Sequence, residues 1–150
     1  MKDEKCVDSE TPMWIVAHDH FYFGHDFLQS YEQVEVKRQP GWPKYFLLTH
    51  AVELLIKAYL IYSGECPRTL RGSGGHNLVK QIDRAVQLGL CLSAECIDDL
   101  KALSEAHSKY WNRYPKTDGR PIVLYETSEN SVIVLLSLVQ NALFQPGVVD

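Results

Sequence analysis

Residues 46–60 read Phe46-Leu47-Leu48-Thr49-His50-Ala51-Val52-Glu53-Leu54-Leu55-Ile56-Lys57-Ala58-Tyr59-Leu60. Their apolar side chains fall on almost every side of a 3.6-residue helix rather than on one stripe, and such a helix belongs at the centre of others. Upstream, Gly41-Trp42-Pro43 starts it well, because proline in a first turn lacks only an N–H that would be unpaired anyway. Downstream, Gly64 is a natural stop, since glycine readily takes the left-handed backbone of a helix end. Glu53 and Lys57 stand four apart on one face with His50. In apolar surroundings an unpaired charge is costly, so a partner from another helix is expected, and Arg113 is the candidate for Glu53. The couple reads first as a buried clamp that fixes helix register, with an edge that can border a ligand cleft.

Outward from this helix the chain offers four more. Thr11 caps the first and Pro12 takes its first position; Trp14, Ala17, Phe21, Gly24, Leu28 and Tyr31 then recur at three- and four-residue steps, one helical face. Gly24 sits in that seam, where it lets a neighbouring helix approach. The polar stretch from Val36 to Pro40 ends the helix. After the second helix, Glu65 to Gly75 reads as a loop, and a short third helix starts near His76-Asn77 with Leu78, Ile82, Ala85 and Leu88 on its apolar side. Ser93 caps a fourth helix, with Ile97, Leu100, Leu103 and Tyr110 inward. Asn112 to Glu126, broken by Pro115, Gly119 and Pro121, reads as a loop; Thr127 or Ser128 caps a fifth helix whose Val132 to Phe144 stretch is strongly apolar. No segment alternates like a strand, Ile122-Val123-Leu124-Tyr125 being the nearest to one. The expectation is an all-α, up-and-down bundle of four to five helices in a single domain over 11–150, with 1–10 as a disordered polar tail.

Composition agrees with a globular chain: 150 residues, 45% hydrophobic and 23% charged. The formal charge of −4 argues against a broad basic face for duplex nucleic acid. Bases nevertheless concentrate between Lys109 and Arg120 and between Glu65 and Arg84, so either a compact phosphate site sits where these segments meet, or both are solvated loop charges. Cys6, Cys66, Cys91 and Cys96 include no close pair, which reads as reduced thiols in a cytoplasm. No signal peptide is expected from the charged stretch Met1 to Glu10, and no apolar run is read as approaching the roughly 20 residues of a membrane span.

Three segments together resemble the HEPN family (higher eukaryotes and prokaryotes nucleotide-binding). They are Ala51-Val52-Glu53-Leu54-Leu55-Ile56-Lys57-Ala58 with the Gly64 stop, the start Gly75-His76-Asn77-Leu78, and Tyr110-Trp111-Asn112-Arg113-Tyr114-Pro115. The resemblance covers about the central half of the chain. It implies a four- or five-helix bundle, usually dimeric, that binds nucleotides or RNA or pairs with a nucleotidyltransferase. It also implies that many members are metal-independent ribonucleases, of toxin or defence type, carrying an Arg and a His four to six residues apart. No cofactor and no metal is called for.

By that resemblance Arg71 and His76 are the catalytic candidates, His76 taking the proton of a ribose 2′-hydroxyl and Arg71 stabilising charge on the attacked phosphate. Two departures weigh against them: Gly72 stands where the family has a polar residue, and the pair precedes the third helix rather than lying later. The competing reading makes His76 and Asn77 a helix cap and Arg71 a solvated charge, and it is the favoured one. Glu53, Lys57, His107, Tyr110, Arg113 and Tyr114 are the ligand-binding candidates, the last four lining a phosphate pocket with Tyr114 stacked on a base, or else serving as core residues and salt-bridge partner. His18, Tyr22 and His25 share a face that His50 would join, but no recognised metal-ligand spacing appears, so core-satisfied or exposed histidines are expected. The rival to the nucleotide-binding reading is a non-catalytic interaction module.

Overall fold

The computed structural model describes residues 10–37, 42–70, 77–108 and 125–144, with the backbone alone at 42, 106–108 and 125–127. Five α-helices occupy these residues: α1 (Met13–Gln33), α2 (Trp42–Tyr62), α3 (Leu78–Gln87), α4 (Ala94–Ser108) and α5 (Tyr125–Phe144). No strand occurs among the described residues. The all-helical expectation holds.

α2 is the centre. It touches each of the other four helices, and from Ala51 to Ile61 every side chain but Leu54 is buried. By length and composition Pro43–Tyr62 is apolar enough to cross a membrane (mean hydropathy 1.3), contrary to the expectation that no run approached that length. The expectation went wrong because Glu53 and Lys57 interrupt the run without making it polar. In this fold 72% of that stretch is buried against protein, which is what a core helix needs.

α1 and α2 are antiparallel. Gly24 lies against Ala51 and Leu55, Phe27 against His50, and Tyr31 beneath Lys44, so rising numbers on one meet falling numbers on the other. The glycine is what allows the approach: a Cβ there would stand 3.0 Å from Leu55 Cγ and 3.3 Å from the Ala51 carbonyl oxygen. α5 also runs antiparallel to α1, since His18 meets Phe144 and Tyr31 meets Glu129.

Ends follow local chemistry. Gly64 (φ +105) and Gly89 (φ +109) take left-handed backbone, and the following N–H of each reaches back to satisfy an orphan carbonyl: Glu65 to Leu60 and Leu90 to Ala85. The Asn77 side chain accepts from Lys80 N at 3.2 Å, and Ser93 Oγ accepts from Cys96 N at 3.1 Å. Five expectations need correction. Pro12 is the N-cap of α1 rather than its first residue, and α5 starts at Tyr125. A 3₁₀ turn, Pro67–Leu70, stands inside the expected loop and buries Leu70. Trp14 is 60% exposed, although it obeys the core period of α1: it stands in the first turn, where its ring meets His18 rather than another helix. Finally, Cys66 is disulfide-bonded while Cys91 and Cys96 are free. Reduced thiols throughout were expected because the cysteines include no close CxxC pair, but a disulfide requires closeness in the fold only.

Candidate functional site

The periodicity of α2 puts His50, Glu53 and Lys57 on one stripe, and the burial of α2 takes that stripe inside. Lys57 Nζ donates to Glu53 Oε1 at 2.7 Å, with side-chain exposures of 11% and 4%. Glu53 Oε2 lies 3.4 Å from His50 Nδ1. That separation is electrostatic contact, not a directed hydrogen bond, and Nδ1 is buried without a hydrogen-bond partner. The His50 side chain is 30% exposed, so its solvent-facing part is the remainder of the ring. Phe27 meets it edge-on at 4.5 Å between centroids and Phe46 stacks on it at 5.7 Å, a wedge that holds the imidazole in one plane.

A carboxylate and an ammonium taken this far from water are expensive to desolvate, and only close, charge-assisted hydrogen bonding offsets it. Chemically, the stripe offers an oriented imidazole at the surface backed by a buried carboxylate. Lys57 is committed to Glu53 and is not a free phosphate-binding cation.

The other expected site residues are not brought to this stripe by anything described. Arg71, His76, Tyr110, Arg113 and Tyr114 lie outside the described residues, and with them the expected Glu53–Arg113 pairing. His107 is placed in the last turn of α4, its side chain outside the description. The histidines of α1 do not converge on His50: His18 Nδ1 donates to the Trp14 carbonyl at 2.6 Å, His20 Nδ1 to that of Val16 at 2.8 Å, and His25 stacks on Phe21. Among the described residues no group of three or more His, Cys, Asp or Glu is placed to hold a metal ion.

Sequence reasoning passed over a cleft of about 510 Å³ between α4 and α5, lined by Ser93, Glu95, Cys96, Asp99, Asn130 and Ser131. Ser131 Oγ donates to Asp99 Oδ2 at 2.6 Å, and Cys96 Sγ donates to the Ser131 carbonyl at 3.5 Å. Burial pushes the Cys96 thiol up from its ordinary value, although its bond to Ser131 acts the other way. Cys96 is thereby held as the neutral thiol, the less nucleophilic of its two forms. Only Ser93 was legible, as a helix cap; Ser131 and Asp99 are 32 residues apart and carry no local signal.

Comparison with known proteins finds no matching family model, no matching curated protein and no matching solved structure.

Proposed function

We propose that this chain is a HEPN-like helical module that binds nucleotide or RNA, acting as a homodimer, with the inward stripe of α2 at the border of its ligand site. The observation that carries the reading is the Glu53–Lys57 bond buried at the heart of the bundle with His50 opening to solvent beside it. An imidazole held by two phenylalanines and backed by a carboxylate is suited to bonding a phosphate or a ribose hydroxyl. Glu53 and Lys57 then fix the helix that presents it. Metal-independent ribonuclease action by Arg71 and His76 belongs to the same reading as its catalytic form.

The test is titration of ATP and of a short RNA, followed by tryptophan fluorescence and repeated with His50→Ala. Saturable binding weakened by the substitution is expected; no binding of either at millimolar concentration removes the reading. Catalysis separates from binding in an RNA cleavage assay with EDTA present, comparing the native protein with His76→Ala. Equal cleavage by the two takes His76 out of the mechanism.

A further inference from the structure

On the side of the bundle built by α1 and α5, aromatic rings stand in solvent where a core helix pair would bury them. Trp14 is 60% exposed, Tyr22 52% and Phe144 38%. They form one cluster, linked through His18: the His18 ring lies 5.8 Å from Trp14 and 4.5 Å from Phe144, and Phe144 lies 5.8 Å from Tyr22. Trp14, His18, Tyr22 and Asp26 are spaced four apart, so they make a single ridge along α1 that ends in a carboxylate. On α5, Ile133 is 41% exposed and stands eleven residues before Phe144, about three turns, hence on the same face.

The charge on these two helices has one sign. Their sequences contain Asp19, Asp26, Glu32, Glu126 and Glu129 and no Lys or Arg. Asp19 and Asp26, which flank the Tyr22 side of the ridge, form no ion pair with any described base. This asymmetry decides among occupants. Nucleic acid and anionic lipid would bring phosphates to carboxylates. A second copy docked through the same face would set acid against acid, and like charges across an interface are penalised. A polypeptide with apolar anchors and flanking Lys or Arg satisfies both features, because cations are attracted to the faces of Trp and Tyr as well as to Asp. Exposed Trp and Tyr are also the residue types that dominate binding energy at protein interfaces.

We propose that the α1–α5 face is a docking surface for a basic, apolar segment of a partner protein, laid as a helix along the Trp14–His18–Tyr22 ridge and against Phe144. This surface is separate from the His50 stripe, so it stands or falls independently of nucleotide binding.

The probe is a synthetic peptide of about four turns, with Leu at helical i, i+3, i+4, i+7 spacing and Arg at the flanking positions. A second peptide has Glu in place of each Arg. Both are titrated into the full-length chain by calorimetry, with sedimentation run in parallel. Binding of the Arg peptide alone is expected, weakened roughly tenfold by Trp14→Ala and by Asp19→Lys with Asp26→Lys. These positions are exposed, so unchanged thermal melting certifies that the variants are folded. Three results each overturn the proposal: equal binding of the two peptides, binding indifferent to the substitutions, or no heat with the Arg peptide up to about 1 mM. A dimer in sedimentation that dissociates on Trp14→Ala overturns it too, by assigning the face to a second copy.

Discussion

Glu53 is gripped from two positions on its own helix, by Lys57 one turn after it and His50 one turn before. Placed on an exposed helix, a pair at this spacing contributes about 0.2–0.5 kcal/mol. Buried, it is worth far more to keep intact than to have made, because removing one partner takes from the other its 2.7 Å counter-charge in apolar surroundings. Glu53→Gln and Lys57→Met should therefore each destabilise by about 3–5 kcal/mol in urea unfolding. The double variant should lose less than the sum of the two, by about 1–3 kcal/mol of coupling. Strict additivity would mean that the 2.7 Å bond contributes nothing of its own. His50 makes a different prediction for the same stripe: its contact with Glu53 is long and its ring is held by Phe27 and Phe46. His50→Phe should leave stability within about 1.5 kcal/mol of the native protein, as a swap of similar shape does, while abolishing nucleotide binding if the ring is what meets the ligand.

At the scale of the helices, most boundaries are local chemistry written into the chain. Gly64 and Gly89 both close helices with left-handed backbone, yet they differ in surroundings. A Cβ on Gly64 would meet nothing within 4 Å, so Gly64→Ala isolates the backbone penalty, about 1–2 kcal/mol. Gly64→Asn should recover part of it, since asparagine tolerates that conformation better, and the ranking Gly, Asn, Ala in urea midpoints is the check. A ranking with Ala above Asn would show that the stop is not set by the backbone. Gly64, Asn77 and Ser93 were readable because each acts on atoms within a few residues. The central place of α2 was readable for a related reason, an apolar run with no polar side. Trp14 was not, because periodicity tells which face a residue shares and not where the neighbouring helix ends. The four-residue 3₁₀ turn is too short to carry a period, and Ser131 meets Asp99 only because α4 and α5 happen to pack there. Of the candidate site, Glu53 and Lys57 lie as the spacing required, whereas the Arg71–His76 and Arg113 expectations fall outside the described residues.

Across the whole molecule the α1–α2 interface also holds two phenols that are reluctant to ionise, and that sets how the bundle responds to alkali. Burial pushes Tyr45 up from 10.0 to about 12. Tyr31 is raised as well, by burial first and then by the carboxylate of Glu129, to which its hydroxyl donates at 3.3 Å. Each prefers its neutral form in the fold more than in the open chain. Below pH 10 both states keep the phenolic proton and nothing is lost. Above it the unfolded chain releases protons that the native state retains, so stability falls as pH rises. For Tyr45 that window runs from 10.0 to about 12, at a slope of at most about 1.4 kcal/mol per pH unit. Tyr45→Phe should accordingly unfold at lower urea near neutral pH, or at an equal concentration, yet decline less steeply in alkali, so that the two curves converge or cross. Tyr31→Phe should flatten the decline similarly while also losing the bond that ties α1 to α5. The measurement is urea unfolding at intervals from pH 8 to pH 11.5, with phenolate absorbance recorded on the folded protein. Parallel stability curves for native and Tyr45→Phe protein would show that this phenol ionises as easily inside the bundle as outside it, and that α1 does not seal α2 from solvent there.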